Sequence, residues 1–201
     1  MKKFIFILTI FLLLMIQSGA SSAQTFTAFL NAGSSTIQAG LDADHALDEG
    51  YLRTGFSGIY TNYDRGEYKS LEVHVAIGDE FLIEGLNGEL GIKGLIGSVD
   101  KGLRNNDLGS LAFMAGGIYQ LPKDIFPVTT KVFTEITWTP GPLAFIDMDR
   151  YFDIKAGVDV FLVERAALEF SFLHYNMKME GTAGDWTDED TIVMIGVKLK
   201  F

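Results

Sequence analysis

Apolar and polar positions alternate along most of this chain, and the alternation is clearest in the last segment, 191–201. Counting back in steps of two from the final residue gives an apolar set, Val193, Ile195, Val197, Leu199 and Phe201. The positions between them hold Ile192, Met194, Gly196, Lys198 and Lys200. A period of two places the sets on opposite faces of a β-strand. The pattern predicts a strand with one apolar face and one face that is small or charged toward its end.

The same alternation predicts a barrel. It recurs at 69–78, 89–96, 128–138, 151–162 and 167–175, and in weaker, glycine-rich form at 25–32, 36–42, 52–62 and 108–120. The segments have about the length of tilted transmembrane strands. We therefore expect an all-β fold, a single closed antiparallel up-and-down transmembrane β-barrel of about ten strands. Eight strands is the alternative, if the short first hairpin merges or lies outside the barrel.

Turn-forming residues divide the connections between the two ends of this barrel. Gly, Asn and Asp clusters place turns on the side of both termini, the periplasmic side, at 43–50, 79–88, 121–127 and 163–166. Outer loops are expected at 33–35, 63–67, 100–106, 140–150 and 180–190. The final strand resembles the signal by which the outer-membrane assembly machinery recognises barrels, carried by Val193, Ile195, Val197, Leu199 and Phe201.

The first residues predict export. A basic start at Lys2 and Lys3 is followed by an apolar run at 4–16 and by the small residues Ser21-Ser22-Ala23. The run is shorter than the ~20 residues of a membrane-spanning helix, so a signal peptide at 1–23, cleaved after Ala23, is expected. Residues 24–201 are then the barrel domain, exported to the outer membrane of a Gram-negative bacterium.

Charge and composition exclude several function classes. Without Lys2 and Lys3 the chain has 14 basic and 26 acidic residues, a formal charge of −12, which repels nucleic acid. There is no cysteine for a disulfide, a thiolate metal site or a lipid anchor. We expect no cofactor and no metal, outer-membrane lipids as the partners, and no enzymatic activity. The sequence does not indicate an oligomeric state.

A soluble barrel would show the same alternation, so the orientation of the faces depends on other signals. Mixed charges on neighbouring strands favour an enclosed polar face, since such charges can neutralise one another across a lumen. Aromatic residues near predicted strand ends are typical of membrane interfaces. These are Tyr119, Trp138, Phe152, Phe161, Phe172, Tyr175 and Phe201. A soluble periplasmic barrel, with the apolar face inside, remains the alternative.

The charged positions predict an ion network in the lumen. Its expected members are Glu72, His74, Lys93, Lys131, Glu135, Asp153, Lys155, Asp159, Glu169, Lys198 and Lys200. His74 beside Glu72 could begin a metal site, but metal sites need three or four converging ligands, so a network histidine is preferred. Asp153 and Asp159 lie six residues apart on one strand, roughly 20 Å at about 3.3 Å per residue, too far for shared acid–base chemistry.

Three other polar groups have a structural interpretation that we prefer. One group consists of turn-forming polar residues, which we interpret as part of a turn in preference to a metal site: Asp42, Asp44, His45 and Asp48. The acidic loop 180–190 lacks the ligand spacing of a calcium loop. Small barrel lipid A deacylases carry a serine nucleophile two positions after a histidine, and after His174 that position is Asn176, which cannot accept an acyl group.

The second half of the chain resembles the YfaZ family of predicted outer-membrane proteins. The resemblance rests on the stretches 91–94, 135–140, 153–158, 168–172 with Glu180-Gly181, and 197–201. It implies an outer-membrane barrel of unassigned activity and brings no catalytic residues. A structural or surface-interaction role is the leading expectation. A channel for small solutes or ions is the alternative, and a lipid-modifying barrel enzyme is a further one.

Overall fold

A computed structural model describes residues 24–63, 66–102, 104–124, 126–180 and 184–201, so the predicted signal peptide lies outside the described residues. The strands are β1 (Gln24–Gly33), β2 (Thr36–Ala46), β3 (Tyr51–Tyr63), β4 (Gly66–Glu80), β5 (Leu86–Lys101), β6 (Arg104–Gln120), β7 (Thr130–Thr139), β8 (Ala144–Ile146), β9 (Met148–Val163), β10 (Ala166–Met179) and β11 (Trp186–Lys200). A 3-10 turn spans Gly141–Leu143. No helix within the described ranges is long and apolar enough to cross a membrane.

Ten of these strands form a closed antiparallel barrel, as the alternation predicts, and the eight-strand alternative is wrong. Neighbours around the barrel follow the order β5-β4-β3-β2-β1-β11-β10-β9-β7-β6, and a β5–β6 ladder completes the ring. The closure between β1 and β11 runs from Thr27 opposite Lys200 to Gly33 opposite Met194. The short β8 pairs only with β6, beside the connection between β7 and β9.

The connections fall at the two ends as the turn signals predict, but several are shorter than expected. Both termini share one end with the turns after β2, β4, β6 and β9. Residues 148–150 of the predicted outer loop 140–150 belong to β9, and residues 186–190 of the predicted outer loop 180–190 belong to β11. The ladder between β9, β10 and β11 continues there, with Arg150 opposite Lys178 and Asp188 opposite Met177, because each added residue satisfies further backbone groups.

Large apolar side chains cover the outside of the barrel. Val193 on β11 and Leu90 on β5 are each 72 % exposed, and Ile77 on β4 is 61 % exposed. Among the described residues, Asp, Glu, Lys and Arg on outward-facing strand positions occur only toward the two ends of the barrel. Aromatic rings also lie outside, including Phe113 and Trp138, whose centroids are 6.2 Å apart. A water-soluble surface rarely exposes an apolar area this continuous.

Candidate functional site

The lumen has two parts of different chemistry, which we call the apolar half and the ionic half. The apolar half lies at the end opposite the termini and is filled by a cluster of buried side chains. Its members are Ile59, Tyr68, Leu95, Val99, Leu108, Met148, Tyr151, Leu173, Tyr175, Met177, Met179, Trp186, Ile192 and Met194. The ionic half lies next to the termini and contains most of the predicted ion network.

The apolar half is densely packed. Tyr175, Met177 and Met179 on β10 are 0 % exposed, and the rings of Tyr68 and Tyr175 lie 5.2 Å apart across the lumen. The Trp186 indole donates a hydrogen bond from Nε1 to Oδ1 of Asn106 at 3.1 Å, so its one polar atom has a partner. Side chains therefore fill the lumen here.

Glu169 on β10 is the centre of the ionic half. Its carboxylate is 0 % exposed and lies 3.2 Å from Nζ of Lys155 and 3.0 Å from Nζ of Lys198. Asn31 on β1 donates a third contact, from Nδ2 to Oε1 at 3.0 Å. Lys198 also bonds Asp159 at 2.8 Å. A buried carboxylate held by two cations and an amide is the arrangement in which burying charge costs least.

One contact of this cluster reaches across the lumen. Lys155 on β9 donates from Nζ to Oε1 of Gln38 on β2 at 3.0 Å, and three strands separate these two along the barrel wall. Gln38 in turn accepts from Nδ2 of Asn31 at 3.4 Å. The network therefore ties opposite walls of the barrel together.

A second cluster surrounds Lys93 on β5. Its Nζ lies 2.5 Å from Glu135 on β7 and 3.5 Å from Glu72 on β4. Asp153 on β9 is 2 % exposed and belongs to this level, whereas Asp159 bonds Lys198 at the level of Glu169. The two aspartates thus serve different clusters, in keeping with the separation expected along one strand.

A third cluster lies closer to the termini. Arg53 on β3 donates from Nε to Asp44 at 2.7 Å and from Nη1 to Glu89 at 2.5 Å, and Tyr51 donates to the same Glu89 at 2.5 Å. Sequence reasoning missed Arg53, Tyr51 and Glu89 as network members. Their alternation is visible in the sequence, but each stands near a predicted turn, where strand and turn readings compete.

His74 is paired with Asp42 rather than with Glu72. Its Nε2 lies 3.6 Å from Oδ1 of Asp42, and these residues belong to β4 and β2 with β3 between them. Gly55 on β3 makes the approach possible, because a Cβ there would lie 2.3 Å from Oδ1 of Asp42 and 2.6 Å from Cε1 of His74. The prediction of turn chemistry for Asp42, Asp44, His45 and Asp48 is wrong for the first three, which belong to β2 because its ladder with β3 continues to Ala46. They do not form one cluster, since His45 contacts Gln24 instead.

A cavity of about 140 Å³ remains among the side chains of the ionic half. Charged residues from several strands line it, including Arg53, Lys93, Lys155 and Lys198 together with Glu72, Glu135 and Asp153. A polar cavity of this size holds a few water molecules, at about 30 Å³ each. Leu173 also lines the cavity and belongs to the apolar cluster, so the cavity borders that cluster.

The predicted aromatic girdle needs a correction at two positions. Phe161 and Tyr175 point into the lumen, where they are 8 % and 0 % exposed. Both stand on the inward-facing set of their strands, so their ring chemistry serves packing rather than an interface. Trp138, Phe152 and Phe201 are exposed on the outside of the barrel or at its end.

His174 faces outward and meets residues that the sequence did not connect with it. Its Nδ1 lies 2.9 Å from Oγ1 of Thr191, and its Nε2 lies 3.8 Å from Oε1 of Glu189. Asn176 donates to the other oxygen of Glu189 at 2.9 Å. The register of β10 against β11 produces this group by placing His174 directly opposite Thr191, and no spacing within one segment could have revealed it.

No family model and no curated protein sequence matches this chain. Among solved structures it is similar to the NanC porin (11 % identity, covering 89 % of this chain and all of that one, TM-score 0.43). It is also similar to Neisserial surface protein A, at 10 % identity over 89 % of this chain and 94 % of that one, with a TM-score of 0.37. The Acinetobacter baumannii outer membrane protein Omp33 is similar at 10 % identity over 90 % of this chain and 98 % of that one, with a TM-score of 0.31. Likenesses this distant carry no argument about activity. Membership of the YfaZ family is not confirmed and stays a prediction.

Proposed function

We propose that this chain is an integral outer-membrane β-barrel whose lumen is sealed and whose role is structural or surface interaction rather than transport. The observation that supports it best is the combination of an apolar exterior with a charged interior. Hydrocarbon would solvate residues such as Leu90 and Val193, while Glu169 and Lys198 neutralise each other inside. A soluble barrel would require the opposite arrangement, since its apolar side chains would fill the interior.

The apolar half argues against the channel alternative. A conducting pore needs a continuous path of water or polar groups, and buried tyrosine, tryptophan and methionine side chains fill this part of the lumen. Lumens of narrow barrels are commonly filled by side chains in this way. For a sealed barrel, the loops opposite the termini are the parts that would meet partners outside the cell.

Membrane fractionation tests the location. The full chain is expressed in a Gram-negative host, and membranes are washed with alkaline carbonate and run unheated and heated on detergent gels. We expect the protein to resist extraction, to fractionate with the outer membrane and to migrate faster when unheated, as folded barrels do. Release into the soluble periplasm would contradict the proposal. A double substitution on the outer surface of the barrel, Val193→Glu with Ile195→Glu, serves as the comparison and is expected to abolish assembly.

A lipid-acting hydrolase is a second candidate, favoured by the group around His174. Thr191 Oγ1 would attack the carbonyl carbon of a lipid ester while His174 takes the hydroxyl proton and passes it to the departing alcohol oxygen. Water would then hydrolyse the acyl-threonine, and Glu189 would orient the imidazole. An outward cleft lined by Trp138, Phe152 and Asn176 lies beside His174 and could accept an acyl chain.

Release of fatty acid separates the two candidates. Refolded protein is incubated with mixed micelles of phospholipid and lipid A, and free fatty acid is measured by mass spectrometry. The hydrolase requires release by the wild type and by Thr191→Ser, and its loss in Thr191→Val. No release above a protein-free blank, or equal release by Thr191→Val, would remove the enzyme and leave the structural role.

A further inference from the structure

We propose that the end of the lumen next to the termini holds a binding site for a small organic anion, formed by Lys131 and Lys200 on either side of Phe161. Lys131 stands on β7 and Lys200 on β11, and both side chains turn toward the same ring on β9. Their Nζ atoms lie 5.8 Å and 5.0 Å from its centroid. The ring is 8 % exposed, so it forms a fixed floor between the two ammonium groups.

These two lysines differ from the other lumen cations because the described residues place no carboxylate within 4.0 Å of them. Lys93, Lys155 and Lys198 each have one or two carboxylates at 2.5–3.5 Å. Asp159 stands directly opposite Lys131 in the ladder, but its contact goes to Lys198 at 2.8 Å. Asp44 and Asp159 act on both lysines only from a greater distance. In a chain with 26 acidic and 16 basic residues, two neighbouring cations that no carboxylate contacts directly indicate a place for an external anion.

The space beside the lysines has the size and composition of a small-molecule site. A cavity of about 410 Å³ opens there, with Val128, Val163 and Phe161 as apolar walls and Gln120 as a further hydrogen-bonding group. Pockets for small ligands are commonly of this volume, mostly apolar with a few placed polar groups. Glu164 also lines the cavity, and its charge opposes a second negative group on the ligand. The geometry therefore favours a monoanion with a compact apolar body.

The site would recognise the anion by two interactions, one with its charged head and one with its apolar body. Both ammonium groups donate to the carboxylate head, and charge-assisted hydrogen bonds are the strong ones. The apolar body packs on the valines and on the ring, which removes its surface from water. The cavity is built by the barrel itself, so the site does not depend on the proposed membrane location. In the proposed orientation it opens to the periplasm.

Protection of the lysines from chemical modification tests the site in the full refolded chain. The protein is acetylated with a water-soluble reagent, and modification of each lysine is followed by mass spectrometry with benzoate, its neutral isostere benzamide, or inorganic phosphate present at equal ionic strength. We expect benzoate to slow the reaction at Lys131 and Lys200 but not at Lys69, which lies toward the opposite end. Benzamide should not protect, and phosphate should protect less.

A substitution of Lys131 tests whether the two lysines bind benzoate together. In Lys131→Gln, about tenfold more benzoate should be needed to protect Lys200, because one of two charge-assisted contacts is gone. Lys69→Gln, the matched control, should leave the protection unchanged. The site is contradicted if benzoate gives no protection, if benzamide or phosphate protects equally well, or if Lys131→Gln leaves the benzoate dependence at Lys200 unaltered.

Discussion

The two halves of the lumen are enclosed by the same ten strands and are held together in different ways. In the apolar half, residues such as Met177 and Met179 are stabilised by contact area, which has no preferred direction. In the ionic half, each group depends on named partners, as Glu169 depends on Lys155 and Lys198. Substitutions in the apolar half should therefore destabilise the barrel in proportion to the volume lost, and those in the ionic half in proportion to the charge left unpaired.

The largest effect is expected from Glu169→Gln, which keeps the shape of the side chain and removes its charge. Two lysines then lose a carboxylate in a closed space, and breaking a buried pair in this way costs about 4 kcal/mol. The free energy of unfolding should fall by that amount, measured by urea denaturation in vesicles with tryptophan fluorescence.

A rim pair provides the control for that prediction. Glu67 lies 2.8 Å from Lys69, and both side chains are partly exposed. Glu67→Gln should therefore leave the free energy of unfolding nearly unchanged, because solvent screens an exposed pair. Equal losses in Glu169→Gln and Glu67→Gln would show that the interior charges are not coupled as described.

In the apolar half, Met177→Ala should lower the free energy of unfolding by about 3 kcal/mol, since it removes buried methylene groups and leaves a cavity. Met177→Leu conserves volume and should cost less than about 1.5 kcal/mol. The same urea titration measures both. A penalty for Met177→Leu as large as that for Met177→Ala would indicate a specific role for the sulfur instead of packing.

The smallest loss of stability is expected from filling the space above Gly55, which the ionic half uses for the pair of Asp42 and His74. Gly55→Ala pushes apart Asp42 and His74 and should cost about 1 kcal/mol. Gly58 on the same strand faces outward, where a Cβ would be 3.6 Å from the Ser70 carbonyl oxygen, an ordinary contact. Gly58→Ala should change stability by less than about 0.5 kcal/mol. If both substitutions have the same effect, the space above Gly55 is not needed for the pair.

The sequence predicts the barrel well because lipid and lumen impose opposite polarity on successive residues. In β11, Lys198 and Lys200 alternate with Val197 and Leu199, and the faces can be read directly. Farther along the same strand, Ile192 and Met194 point into the apolar half while Val193 and Ile195 point outward. Both faces are apolar there, so alternation disappears and the filled half of the lumen is hidden from sequence reasoning.

The sequence also could not predict which charged residues of the lumen contact one another. Period-two alternation places His74, Glu135 and Lys155 on the inner face, but it carries no information about strand register. Contacts such as Lys93 with Glu135 and Lys155 with Gln38 skip one or more strands, so they depend on barrel curvature and closure. Thr191 could not be associated with His174 because that pair depends on the register between the adjacent strands β10 and β11.

Conductance across a planar bilayer tests the sealed lumen most directly. Wild-type protein, refolded and inserted at known density, is recorded beside a porin that verifies the assay. Because buried side chains fill the apolar half, we expect a baseline without unit steps across the voltage range in which the porin conducts. Stable, reproducible unit currents from the wild-type protein would contradict it.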